Sequence, residues 1–337
     1  MTKLQDNLTI RNVTIKNRIV MAPMVTFSFH GDNGSYYGNQ HIDHYTERAK
    51  GGTGLIIVQA TRVIGAVNET NIWSPDNITA LRQIASNSHK YDATVIMQLS
   101  CGDMDINKLS VDEIYAMQID MKQAAVSACE IKFDGVEYHF AHGFTLCKFL
   151  DASYNQRTDK YGGDAINRTR ILTEILPEIR NDTPKEFIVS LRMGEYLPES
   201  KDGIEVAKIF EKAGIDMLHV SYGMQPPAHS VPENFKCSPM AYSGCTIKRE
   251  VDVPVIAVGE IHTEEQVRFL IENDYVDFAG IGRGMLADPE FANHVINGEP
   301  VNKCFECMKC MWFTDHTKCP AHGGKGGREM GLAKAGS

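Results

Sequence analysis

In EYHFAHGF (137–144) two histidines, His139 and His142, stand three residues apart, followed by Gly143 and Phe144. Two imidazoles at that spacing can donate hydrogen bonds to one acceptor oxygen and stabilise negative charge developing on it, or they can satisfy local backbone. Farther along, AVGEI (with Gly259) and GIGRGMLADP (with Gly282, Arg283 and Gly284) combine glycines with an arginine. Glycines let backbone N–H groups come close to a phosphate, and a guanidinium adds paired charge-assisted donors. The plainer reading is tight turns beside a surface charge. A third group lies near the C-terminus, where CFECMKCMWFTDHTKCP spaces Cys304, Cys307, Cys310 and Cys319 as C-x2-C-x2-C-x8-C. Short loops between thiolates let one metal centre gather ligands without straining the backbone. His316 keeps a three-cysteine, one-histidine zinc set open. The other five cysteines, Cys101, Cys129, Cys147, Cys237 and Cys245, are scattered and read as buried or idle thiols. An odd total with four clustered members points to a metal site in a reducing compartment rather than to a disulfide framework.

These groups need elements to position them. Apolar, β-branched runs recur at 19–24, 55–59, 94–99, 135–139, 187–191, 217–221, 254–258 and 278–281. Between them lie helical patterns with start signals: capping boxes at Ser110–Glu113 and Thr263–Gln266, and an Asp288-Pro289 pair with proline at the first helical position. Three joints, KFDGVEYH, GIDMLHVS and YVDFAGIG, each place an aspartate just before a strand, as a repeated helix-turn-strand unit would. Continuous apolar strands suit a parallel sheet covered on both faces. Eight such units predict a (β/α)8 TIM barrel. The alternative, an open doubly wound sheet, lacks its usual G-x-G-x-x-G fingerprint here. In the barrel, catalytic groups belong on loops at the C-terminal strand ends. Pro23, Met24, Ala60, Gln98, His139, His142, Arg192, Gly259, Gly282 and Arg283 all fall there.

The 337 residues, 43% apolar and 23% charged, supply the core of a globular protein, and a net charge of −9 argues against nucleic-acid or anionic-membrane partners. The polar N-terminus lacks the apolar heart of a signal peptide, and no apolar run approaches the ~20 residues that span a bilayer. The expected location is the cytoplasm. No oligomeric state follows from the sequence.

Taken together, NRIVMAPM, RAKGGTGLIIVQAT, HFAHGFTLCKFLDASYNQRTDKYGGDAINR, SLRMGE and GIGRGMLADP resemble the Old Yellow Enzyme family of FMN-dependent NAD(P)H:flavin oxidoreductases, over roughly residues 5 to 300. The resemblance implies FMN contacts at Pro23, Met24, Val25, Ala60, Gln98, Arg192, Gly259, Gly282 and Arg283, with Arg192 at the flavin N1/O2 edge and Arg283 on the phosphate. It further implies that His139 and His142 hold the oxygen of a conjugated acceptor while hydride reaches its β-carbon. Phe144 stands where many relatives carry the tyrosine that protonates the α-carbon. Val25 replaces a threonine or cysteine that tunes the flavin, and Phe27 a substrate-facing tyrosine. Three readings follow: water or another residue (Tyr36, Tyr37, Tyr196 or Tyr222) supplies the proton; the acceptor needs no such proton; or a large, flat conjugated acceptor stacks on Phe27 and Phe144.

The four-cysteine segment resembles the [4Fe–4S] site of the 2,4-dienoyl-CoA reductase and trimethylamine dehydrogenase branch, with somewhat different inner spacings and zinc as the alternative. The expected organisation is a flavin-binding barrel over 1–300, a cysteine-rich segment over 301–322 and a disordered tail over 323–337. The expected activity is reduction of an activated C=C. Amine demethylation, nitro or quinone reduction, and service as a subunit of an electron-transfer complex are the alternatives. NAD(P)H or a separate electron-donor protein is the expected reductant.

Overall fold

The computed structural model describes residues 2–31, 35–64, 70–195, 201–226 and 230–322. The expected tail over 323–337, and Tyr196, lie outside these residues.

The eight apolar runs form eight parallel strands: β3 (Ile19–Met21), β4 (Leu55–Arg62), β5 (Thr94–Ser100), β6 (Gly135–Phe140), β7 (Ile188–Glu195), β8 (Met217–Tyr222), β9 (Val255–Val258) and β10 (Phe278–Ile281). They close in sequence order, with β10 pairing both β9 and β3, into a (β/α)8 barrel wrapped by helices. Ahead of them, β1 (Leu8–Ile10) and β2 (Val13–Ile15) make an antiparallel hairpin whose turn residues Arg11 and Asn12 both take positive φ, 47° and 68°. Ile10 and Ile15 of that hairpin join a cluster of inward barrel residues.

Strand alternation produces two inner layers of opposite character. Val20, Leu55, Ile57, Ile96, Ile188, Met217, Ile256 and Phe278 form the apolar lower layer. One or two rungs higher on the same strands the inward positions are Gln59, Gln98, Glu137, His139, Arg192, His219 and Ser221, all buried. The intervening residues, such as Val136, Tyr138, Leu191 and Val220, face the helices and belong to the outer core. A parallel sheet is thus closed by hydrophobic burial below while its upper rungs carry polar chemistry.

The repeated aspartate has a physical basis. Asp134, Asp216 and Asp277 each accept the N–H of the strand beside their own, from Val95 (2.7 Å), Val189 (2.7 Å) and Val255 (2.8 Å). Each also donates its own N–H to the carbonyl of that same residue. One side chain therefore pins the first rung between two neighbouring strands.

Several boundaries differ from expectation. β3 ends at Met21 because Pro23 has no N–H to continue a ladder, and the chain turns across the mouth. The Ser110–Glu113 capping box forms as expected. At Thr263 only half of the box forms: its hydroxyl caps Gln266 N, but Gln266 Oε1 accepts from His262 N instead. Asp288 does not open a helix. The helix begins at Phe291, and Asp288 accepts from Glu290 N and Asn302 N while meeting His294 Nδ1. Among the described residues no helix is long and apolar enough to cross a membrane.

Candidate active site

The upper inner layer is a hydrogen-bonded belt. Gln98 Nε2 donates to Glu137 Oε1 at 2.7 Å, across a register that sets the two residues side by side. Glu137 Oε2 meets His219 Nδ1 at 2.9 Å. Burial lowers the His219 pKa, so the neutral ring donates its Nδ1–H to the carboxylate. Arg192 lies in register with His139 on one side and His219 on the other. Burial draws its pKa down to about 10, against which Glu137 acts, and it remains a cation at pH 7.

His139 is placed by β6, whereas His142 is placed by a left-handed turn. His142 (φ 63°) and Gly143 (φ 73°) reverse the chain, and His142 N donates to Tyr222 O at 3.1 Å. The two rings meet through His139 Nε2 and His142 Nδ1 at 2.9 Å, and His142 Nε2 reaches Ser221 Oγ at 2.8 Å. Burial, reinforced by the Arg192 charge, holds His139 down to about 3 and His142 lower still. Both are neutral. The Phe144 ring lies 5.3 Å from that of His139, and Tyr222 packs 4.4 Å from His142. Phe144 is 39% exposed and Phe27 67% exposed, each presenting an apolar face at the mouth.

The loop after β3 is fixed from behind. Thr26 N and Oγ1 both donate to Gln59 Oε1, at 2.7 and 2.9 Å, and Thr26 Oγ1 also meets His41 Nε2 at 2.7 Å. This holds Pro23, Met24 and Val25 across the barrel mouth beside half-buried Ala60. On the neighbouring strand ends, Gly259 has φ 124°, and a Cβ there would meet Met240 Cβ at 2.7 Å. A Cβ on Gly282 would lie 3.1 Å from Met24 Sδ. Arg283 follows at the start of a short helix, Arg283–Ala287, and makes no ion pair among the described residues.

Among the described residues, the buried side-chain nitrogens Gln59 Nε2, His139 Nδ1, Arg192 Nε and His219 Nε2 on this rim have no hydrogen-bond partner. Native interiors leave few polar groups unpaired. Gln59, His139 and Arg192 offer donors, and His219 Nε2, its proton being on Nδ1, offers an acceptor. A flat ligand that carries several acceptors and an N–H and ends in a phosphate fits these groups, with the two glycines and Arg283 placed to take the anion. FMN meets that description.

Sequence reading did not single out Glu137, His219, Ser221, Thr26 or His41. The available signal was a polar residue inside an apolar strand, as in GVEYH and MLHVS. Of the tyrosines considered as proton sources, Tyr37 is buried with its hydroxyl 2.7 Å from Thr61 Oγ1, and burial raises both Tyr36 and Tyr37. Tyr222 alone of the three described candidates packs against a histidine of the pair.

The cysteine-rich segment docks on the same rim. Trp312 packs with Phe29 and Leu286, joined by Met24, Cys310, Phe313 and Cys319, and the Phe27 and Phe313 rings lie 5.9 Å apart. Burial raises the Cys304 thiol, as do the charges of Cys319 and Cys310, and Cys319 is raised in turn by burial, Cys310 and Cys307. The four thiols have the right chemistry for a metal, and Cys319 feels the charges of Cys307 and Cys310. Among the described residues, however, no three His, Cys, Asp or Glu side chains converge as a metal-holding group. Of the remaining cysteines, Cys237 and Cys245 are pushed up to about 12 by burial, the condition of inert thiols.

Comparison with known proteins agrees with the barrel. The pattern of the NADH:flavin oxidoreductase / NADH oxidase family matches residues 3–107 and 100–302. An NADPH dehydrogenase of Clostridium acetobutylicum is 33% identical over 320 residues, covering 86% of this chain and 93% of the relative. An NADH oxidase of Thermoanaerobacter brockii is 30% identical over 88% of this chain but only 52% of its own length, so the chain spans about half of that relative. Among solved structures, a 2-naphthoyl-CoA reductase in complex with 2-naphthoyl-CoA superposes with a TM-score of 0.81 at 20% identity, over 95% of this chain and 56% of its own. Morphinone reductase in complex with tetrahydroNAD gives a TM-score of 0.74 at 20% identity, over 94% and 97%. The two structural likenesses concern the fold.

Proposed function

This chain belongs to the NADH:flavin oxidoreductase / NADH oxidase family, and from that premise we propose that it reduces an activated C=C in a large, flat, conjugated carbonyl acceptor. The family makes it an FMN-dependent oxidoreductase drawing on NAD(P)H. The observation that carries the acceptor class is the unpartnered, buried His139 Nδ1 beside the exposed ring of Phe144. A polar anchor and an apolar platform sit side by side, which suits a carbonyl oxygen attached to an extended π-system. A neighbour in fold acts on a 2-naphthoyl thioester, a substrate of that shape.

Pro23, Met24, Val25, Ala60, Gln98, Arg192, Gly259, Gly282 and Arg283 would hold the FMN. When bound, FMN supplies the hydride. Arg192 places a permanent positive charge beside the cofactor, and Glu137 fixes the Gln98 amide so that its remaining polar atoms face one way. His139 and His142 stabilise charge developing on the acceptor oxygen. Neutral imidazoles suit this role, because they donate hydrogen bonds without giving up a proton to a carbonyl. Phe27 and Phe144 cover the conjugated plane. With Phe144 in place of a proton donor, Tyr222 is the hydroxyl we assign to the α-carbon.

The four cysteines extend the proposal. Their spacing, and the packing of Cys310 and Cys319 on the Phe29–Leu286–Trp312 cluster, support a [4Fe–4S] cluster, with zinc as the alternative, in a segment over 301–322 appended to a barrel over 1–300; metal binding would have to draw the four thiols together. A separate electron-donor protein is the partner such a cluster would serve. Metal, labile sulfide and spectral analysis of anaerobically prepared protein distinguishes iron–sulfur, zinc and bare thiols.

The test of the main reading is anaerobic. Flavin reduced by NADPH is mixed with a panel of conjugated ketones, aryl thioesters, nitroarenes and quinones. Reoxidation by bulky enones or thioesters is the expected result. Reoxidation by nitroarenes or quinones alone would replace it with the second reading, which Phe144 favours because those acceptors need no positioned α-proton.

A further inference from the structure

Ser221 links Arg192 to the histidine pair. It is buried on β8, with its Oγ 3.3 Å from Arg192 Nη2, 2.8 Å from His142 Nε2 and 3.7 Å from Met240 Sδ. His142 Nδ1 then meets His139 Nε2 at 2.9 Å, and His139 Nδ1 ends the series without a partner. One continuous chain therefore runs from a guanidinium to a single unengaged imidazole nitrogen.

The ends decide which way its protons point. A guanidinium has only donors, so Arg192 must occupy a lone pair of Ser221. The one serine proton is left for His142 Nε2 or for Met240 Sδ. A thioether is a weak acceptor and is almost an ångström farther away, so the proton goes to Nε2. Neutral His142 then carries its own proton on Nδ1 and donates it to His139 Nε2. His139 in turn carries Nδ1–H. The opposite polarity would aim the His142 N–H at an oxygen already facing a cation, and would present a bare lone pair to an electron-rich acceptor.

We propose that Ser221 is a positioning residue that fixes this polarity, so that the positive end at Arg192 is relayed through two neutral imidazoles to one donor, His139 Nδ1–H, offered to the acceptor oxygen. Head-to-tail hydrogen bonds polarise one another, so charge gathering on that oxygen is met by the whole chain rather than by one ring. The inference rests on the histidine pair serving the acceptor, as read above.

The experiment is long-range 15N–1H NMR of the flavin-loaded protein labelled at histidine, which reports the tautomer of each ring. Both His139 and His142 are expected as neutral Nδ1–H forms. Ser221→Ala should move His142 to the Nε2–H form and slow reoxidation of the reduced protein by a conjugated ketone about tenfold, whereas Ser221→Thr, which keeps the hydroxyl, restores both. An Nε2–H His142 in the unaltered protein overturns the proposal even if the alanine variant does not fold. So do unchanged tautomers in Ser221→Ala. Failure of the unaltered protein to reduce any conjugated acceptor is a different result: it removes the functional reading and leaves the tautomer measurement to judge the chain.

Discussion

The two ends of the barrel are built from the same strands and treat polar groups in opposite ways. At the lower end, Asp216 accepts from Val189 N, pairs with Arg180 at 2.6 Å and meets Arg11 at 3.3 Å, so a partly buried carboxylate is fully engaged. At the upper end, Gln59, His139, Arg192 and His219 each keep one buried nitrogen with no partner among the described residues. An unmade buried hydrogen bond costs on the order of 1–3 kcal/mol. The lower end therefore contributes stability, while the upper end holds unmet polar nitrogens, three donors and the acceptor Nε2 of His219, ready for a ligand. The division follows from a layer of aliphatic side chains below and polar ones one rung above.

The largest test of that contrast is to break the lower end. Asp216→Ala leaves Arg180 and a strand N–H without their acceptor. Loss of a partly buried acceptor that leaves a donor unpaired typically costs about 1–3 kcal/mol. Chemical denaturation should show a loss of that order, while FMN bound at the far end survives at temperatures where the barrel still folds. A loss under 1 kcal/mol would mean that the aspartate is not the clamp its geometry describes.

The upper end should respond in the converse way. Replacing His139 and His142 together with alanine should lower the rate constant for acceptor reduction about a hundredfold to a thousandfold, as loss of an oxyanion donor does, and leave flavin content and thermal midpoint nearly unchanged. Stopped-flow reoxidation set beside a denaturation curve separates the two readouts. Normal turnover in the double variant would remove the pair from the mechanism. Tyr222→Phe is a smaller perturbation, expected to cost roughly tenfold to a hundredfold in the same step through loss of a general acid. Its solvent isotope effect should change with it if the hydroxyl supplies the α-proton.

The contrast also explains what could be read from the sequence. All eight strands were legible because strands of a buried parallel sheet are nearly continuous apolar runs, and MLHVS or FIVSL has few other uses. The aspartate recurring before three strands was visible as a pattern, but its clamp on the neighbouring strand was not. The N-terminal hairpin escaped because its strands are only three residues long and its turn, Arg11-Asn12, lacks glycine. At the mouth, individual positions were legible as strand ends. The bonds that organise them were not, because Glu137 and His219 are 82 residues apart, as separate in sequence as His142 and Ser221 are at 79. Local pattern finds rungs, and only closure of the barrel brings the rungs together.

The ends should finally differ in how acid affects them. Burial lowers the pKa of His139 to about 3 and also lowers those of His142 and His219. These rings bind no proton when folded but do bind one when unfolded once the pH falls below about 6.5. They therefore withdraw stability as pH falls from about 6.5 toward 3, by up to about 1.4 kcal/mol per unit for each ring. At the lower end His89 is shifted upward by its 2.9 Å hydrogen bond to Asp134. Its contribution has the opposite sign: present in full below about 6.5, and lost as pH rises through the higher folded value. Because its side chain is 37% exposed, solvent screening reduces that contribution to a few tenths of a kcal/mol. Denaturation midpoints across pH 4 to 9 should thus flatten on the acid side in the His139→Ala/His142→Ala protein. His89→Gln should lower stability slightly near pH 5.5 and leave it unchanged near pH 9. A His89→Gln effect that persists undiminished at pH 9 would show that packing, not charge, holds His89 to Asp134.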